Sequence, residues 1–179
     1  TSTGPNGGAQ IYVLNLAREI VNIGHRVTII SFVEKKGGIL FPSNETIDGV
    51  KIERLKNSPI KFVLLYSWLK KNVSKYDHVI ENMMQFPLFT PEYIDKSKLF
   101  FIKHHFLGNK SIEVLGFFKG LINLIFENFI NLRYNRPFIV PSELTSTFLE
   151  KKNVLINPPG IILQKSSHVY SKYVNPTIL

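Results

Sequence analysis

The sequence predicts an α/β protein built on a doubly wound, mostly parallel sheet. Three observations carry that prediction. Short runs rich in β-branched and aromatic residues alternate with stretches of helical periodicity. Hairpin signals such as Asn-Gly between paired strand-like runs are missing. A glycine cluster, "GPNGGA", stands directly before the first helical stretch, where a strand-to-helix crossover loop belongs.

The elements follow in order. Ala9, Val13, Leu16, Ala17 and Ile20 recur at helical spacing, and Gly24 takes the position of a C′ glycine. "RVTIISFV", residues 26–33, is a β-branched run short enough for a buried strand. "EKKGGILFPSNETIDG" reads as a polar loop, and "VKIERL", residues 50–55, alternates like a strand near an edge. "KFVLLYSWLKKNVSKY" predicts a helix with Phe62, Leu65, Trp68 and Leu69 on one side. Strands are predicted over residues 77–81, 98–103, 137–141 and 153–157, with a long helix over 111–134. Ser142 is placed to N-cap a short helix before the last strand. In such sheets ligands bind beyond the carboxyl ends of the strands. The loops at 1–8, 82–91, 104–109, 142–143 and 158–160 are therefore the ones to inspect.

A chain of 179 residues is long enough for one domain with a full core, and 44% apolar residues supply it. Lys and Arg number 22 against 13 Asp and Glu, a formal charge of +9 that favours anionic partners: lipid headgroups, phosphorylated substrates or nucleic acid. No RNP-like or helix-turn-helix pattern accompanies the charge, which disfavours nucleic acid. The absence of cysteine excludes disulfides, zinc–thiolate sites and cysteine nucleophiles. No apolar run reaches the ~18 residues that span a bilayer; the greasiest stretch, residues 112–132, is interrupted by Glu113, Lys119, Asn123, Glu127 and Asn128.

Four segments could carry chemistry. Gly7 and Gly8 lack a Cβ, and the amides at the start of the next helix are unpaired and sit at its positive dipole end, which suits a phosphate or carboxylate. The spacing is neither G-x-G-x-x-G nor a P-loop, and a turn needing positive φ would use the same residues. His104 and His105 end a predicted buried strand; on a strand they face opposite ways, so one of them enters a given pocket. Adjacent histidines chelate one ion poorly, so no metal is expected. Asn82 follows the strand at 77–81, before a loop rich in aromatic residues and proline. The helix over 111–134 is apolar nearly all round. It serves a core, another domain or subunit, or a membrane interface helped by Lys119, Arg133 and Arg136. "VPSEL" lacks the Gly-x-Ser-x-Gly elbow, so no serine triad is read there.

Taken in order, "GPNGGAQIYVLNLAREIVNIGHRVTIIS", "YDHVIENMMQFPLFTP", "FIKHHFLGNKS", "LIFENFINLRYNRPFIVPSELTSTFLEK" and "VLINPPGI" resemble the N-terminal domain of family 4 glycosyltransferases, which have the GT-B fold with Rossmann-like domains. The likeness covers residues 4–160. It implies a retaining, metal-independent, hexosyltransferase-type enzyme that needs no cofactor and moves a sugar from a nucleotide-diphosphate donor to a sugar or lipid-linked acceptor. The lack of cysteine fits a reducing, cytoplasmic compartment, and the basic surface and greasy helix add the option of a peripheral place at the inner membrane face. Residue by residue, Gly7 and Gly8 would approach the donor diphosphate. His104 would contact the donor sugar near the reacting centre, as the catalytic candidate. Asn82 and His105 would line the acceptor side, and the Ser142–Glu143 pair would be structural. Residues 161–179 would be the linker and the start of a C-terminal GT-B domain. Two departures stand out: the strand expected before Gly4 is absent, and so is the donor-binding domain. Loss of a central strand would remove most of the ~5–15 kcal/mol that stabilises a domain, so either another segment fills its place or a stretch preceding Thr1 supplies it. Two other readings stay open: a stand-alone α/β module that binds an anionic ligand, and another GT-B-like enzyme such as a sugar-nucleotide epimerase.

Overall fold

In a computed structural model, residues 7–33, 35–36, 39–83, 87–135, 137–149 and 153–160 are described. The readings made for residues 4–6, for Arg136 and for 161–179 lie outside them. Helix α1, Gly8–Asn22, buries Leu14 and Ala17 on one side and Tyr12 on another, and ends at Ile23, before Gly24 at φ +96. Strand β1, Thr28–Phe32, follows. Two short strands, β2 (Lys35–Lys36) and β3 (Ile39–Leu40), form a small antiparallel ribbon. Strand β4, Asn44–Ile47, then turns back into β5, Val50–Leu55.

That hairpin corrects the sequence reading, which placed residues 44–47 in a loop and found no hairpin turn. The turn is Asp48–Gly49, with both residues at positive φ (48 and 80). These are the backbone angles of a type I′ turn, which Asp-Gly favours because glycine carries no Cβ penalty there. The same hairpin moves "VKIERL" inward. Strand β5 lies between β1, to which it is parallel, and β4, and it buries Val50 and Ile52.

Helix α2, Lys61–Asn72, packs Leu65 and Leu69 into the core and continues as a 3-10 turn, Val73–Lys75, while Phe62 stays exposed. Four parallel strands make the second sheet in the order β6 (Val79–Met83), β7 (Leu99–Lys103), β8 (Phe138–Val140) and β9 (Val154–Ile156). Asn82 therefore lies inside β6 rather than after it. The long predicted helix is broken at Gly116, φ +79, into α3 (Ser111–Leu115) and α4 (Phe117–Arg133). Helix α5, Glu143–Thr147, starts at Ser142, whose side chain accepts the Thr145 N–H as predicted.

The chain is thus α/β with a four-stranded, all-parallel sheet. The described strands pair as two larger sheets and the two-stranded ribbon rather than as one sheet, with β1 and β6 at the ends of theirs. Among the described residues, no strand pairs with the outer edge of either. Side-chain packing bridges the division. Ile30, Phe32 and Leu55 of the first sheet pack against a core that includes Leu65, Met83, Phe101, Tyr134 and Phe138. The Phe101 ring centre lies 4.7 Å from Tyr134 and 5.2 Å from Phe138. Among the described residues, no helix is long and apolar enough to cross a membrane.

Candidate functional site

Because β6 to β9 run parallel, their carboxyl ends open on one side of the sheet, and the loops beyond them gather there. Asn82 near the end of β6 and His104 just past β7 meet directly: His104 Nε2 lies 2.9 Å from Asn82 Oδ1. An amide oxygen only accepts, so Nε2 carries the proton and Nδ1 is left as an acceptor in the neutral ring. The Tyr12 ring meets His104 edge-on, with centroids 5.3 Å apart. Tyr12 in turn donates to the carbonyl of Asn157, just past β9, at 2.9 Å, and its oxygen accepts from Asn157 Nδ2 at 3.0 Å. One cluster thus joins α1, β6, β7 and the end of β9, across 145 residues of sequence.

The glycines stand one turn above this cluster. Gly8 precedes Tyr12 by four residues, about 6 Å along the helix axis. Both Gly7 and Gly8 are exposed, and a Cβ on either would meet nothing within 4 Å. Gly7 has φ −128, open to any residue, so the positive-φ turn weighed for it does not form. The ladder of α1 opens with Gln10 and Ile11 donating to the Gly7 carbonyl at 3.0 Å, and no acidic side chain sits in the first turn. The dipole of this end is therefore not offset by a local carboxylate.

Beneath His104 lies a buried polar bed that sequence reasoning passed over. Glu81, Lys103 and Glu127 are all buried. Glu127 of α4 accepts the backbone N–H groups of Leu107 (2.9 Å) and Gly108 (2.8 Å), and the Asn123 amide at 3.0 Å. The loop after His104 is tied to α4 in this way. Glu81 accepts from the Leu88 N–H at 2.7 Å and from the Thr90 hydroxyl. The Lys103 ammonium sits 5.1 Å from the Phe106 ring centre. The Thr145 hydroxyl donates to the His104 carbonyl at 3.3 Å, so the Ser142–Glu143 turn supports the site from below. His105 is exposed and lies outside this cluster.

Desolvation sets the protonation states. It raises the Glu81 carboxyl above its ordinary range, against the pull of the Leu88 and Thr90 hydrogen bonds and of Lys103. It lowers Lys103, which Glu127 and Glu81 partly restore. It lowers His104 below its ordinary 6.5, and the neighbouring His105 and Lys103 push the same way. His104 is therefore neutral at pH 7. Its linkage sign follows: between its lowered folded value and 6.5 the unfolded chain binds more protons, so stability is full above 6.5 and declines as pH falls through that window. Glu81 acts in the opposite sense at lower pH, so the test is a difference. The stability gap between the wild type and His104→Gln, read from urea unfolding at several pH values, shrinks from pH 7.5 towards the folded value. A gap independent of pH would mean that His104 is not desolvated.

The sequence placed Gly7, Gly8, Asn82 and His104 separately; the fold joins Asn82 to His104, and Tyr12 of α1, four residues after Gly8, meets the same histidine. Tyr12, Asn157, Glu81, Lys103, Glu127 and Thr145 were missed. Tyr12 lies beside the apolar stripe of α1, not among its recurring residues, and drew no reading of its own. Its partner Asn157 is remote in the chain, and no local pattern links the two. Among the described residues, no group of three or more His, Asp or Glu side chains is placed to hold a metal ion. Compared with protein-family models, curated proteins and solved structures, the chain finds no match.

Proposed function

We propose that this chain is the N-terminal, acceptor-binding part of a retaining glycosyltransferase of the GT-B type, acting on a nucleotide-diphosphate sugar. The observation that supports the reading is the Asn82–His104 pair at the carboxyl ends of the parallel strands, met by Tyr12 of the helix that opens at the exposed Gly8. Amides at a helix start stabilise the negative charge that grows on a departing diphosphate. A neutral His104, oriented by Asn82 and wedged by Tyr12, holds a sugar hydroxyl through Nδ1. Asn82 then acts through His104 as well as facing the acceptor side, and exposed His105 meets the acceptor at the rim.

The test uses the intact protein with a panel of nucleotide sugars and measures nucleotide release. His104→Ala lowers kcat by about 10²-fold or more, in the range for removing a positioned group in the transition state. Gly8→Val leaves the fold intact, because its side chain enters open space, yet it weakens donor binding. Release at the wild-type rate from His104→Ala would remove His104 from the reaction. A folded intact protein that binds diphosphates but releases no nucleotide from any donor would instead be an anion-binding module.

A further inference from the structure

Helix α4 is turned inside out for a helix that covers a core. Its inward stripe is Gly120, Asn123, Glu127 and Ile130, mostly polar or small. At about 100° per residue, the opposite arc carries Phe118, Leu121, Ile122, Ile125 and Leu132. All five are exposed: Phe118 at 80%, Ile125 at 57% and Leu132 at 81%. Ordinary amphipathic helices place these two sets the other way round. Beyond the helix the arc is bordered by Phe89, which is exposed and held at φ +56, with its ring 5.3 Å from Phe129. Helix α3 packs on the other side of α4, against Gly120 and Asn123.

The charges bordering the arc are mainly cationic. Lys119 and Arg133 fall on the same flank of α4, near its two ends, and Lys110 leads into α3; all three are exposed. Among the described residues, α3 and α4 carry one exposed carboxylate, Glu113, since Glu127 is turned inward. Arg133 approaches Glu92 only at 3.9 Å. With 17 residues, α4 is about 25 Å long, a length for lying in an interface with its flank charges at phosphate level.

We propose that the outer face of α4 docks on an anionic lipid surface. Helix α4 lies in the headgroup plane, Phe118, Ile125 and Leu132 enter the acyl boundary, and Lys119 and Arg133 meet lipid phosphates. A second copy suits the face less well. Antiparallel self-pairing centred on residue 126, one position beyond Ile125, would set Lys119 against Arg133 of the other copy, two like charges. The proposal is independent of the transferase reading and survives its failure, because the face and the glycine end of α1 are separate surfaces.

Flotation of the chain with vesicles tests it, using phosphatidylcholine alone and phosphatidylcholine mixed with phosphatidylglycerol. The wild type floats with the anionic vesicles and is partly released by added salt. Phe118→Ser/Ile125→Ser lowers partitioning at least about tenfold, with unchanged circular dichroism and melting temperature, since both side chains are exposed. Lys119→Glu/Arg133→Glu abolishes the preference for anionic vesicles. Folded wild type that floats with neither vesicle overturns the proposal, as does a serine variant that floats like the wild type. A wild-type dimer in sedimentation that the serine variant abolishes also overturns it and gives the face to a second copy.

Discussion

Glu127→Ala lowers the unfolding free energy by about 3–5 kcal/mol, the range for removing one partner from a buried charged network. The side chain is 5% exposed and holds three donors: the amides of Leu107 and Gly108 and the Asn123 side chain. Alanine removes the acceptor of the two half-buried amides, while Asn123 keeps Ser111 as a partner, and each group left unpaired costs about 1–3 kcal/mol. It also removes the larger of the two carboxylate contributions that hold the buried Lys103 ammonium in its charged form. The sign at Lys103 is fixed: its folded pKa falls further, so the variant recovers part of its stability as pH rises towards 10.5, where the unfolded lysine also loses its proton. Urea unfolding at pH 7 and pH 9.5 reads both effects. Glu127→Gln, which keeps an acceptor oxygen, loses less. A Glu127→Ala variant as stable as the wild type would mean that residues 107–108 do not depend on α4 for their hydrogen bonds.

Gly120→Ala is the second large effect. A Cβ here would collide with the backbone of α3, overlapping Ile112 Cα and lying 2.6 Å from Ile112 N. Backbone moves only with its whole helix, so the strain exceeds what a rotamer change relieves. The expected loss is about 3 kcal/mol, against which alanine's helix propensity returns about 1 kcal/mol. The melting temperature falls, and near-UV circular dichroism changes as α3 separates from α4. Gly8→Ala is the control. It adds the same methyl group in open space, at the first residue of a helix, and leaves stability unchanged or slightly raised. Equal melting temperatures for Gly120→Ala and the wild type would rule out the close α3–α4 crossing.

The sequence by itself determined the alternation of elements and the residues at strand ends. Parallel strands have short, β-branched or aromatic runs that stand out, and Gly24 and the Ser142 cap mark their helix ends through purely local chemistry. It determined the site in pieces, since Gly7, Gly8, Asn82 and His104 each sit where a strand or helix ends. The Asp48–Gly49 hairpin was also written there, in a dipeptide that is itself a local signal. Tertiary structure decided what lies between remote segments. The Tyr12–Asn157 bond, the Glu81–Lys103–Glu127 bed and the division into two sheets depend on pairings across long stretches of chain, which leave no periodicity to read. It also decided which face of α4 turns inward. An apolar arc predicts burial when only its own helix is considered. Buried acceptors for the amides of residues 107–108 and room for the α3 backbone are demands made by neighbours, so Glu127 and Gly120 turned in and Phe118, Ile125 and Leu132 turned out.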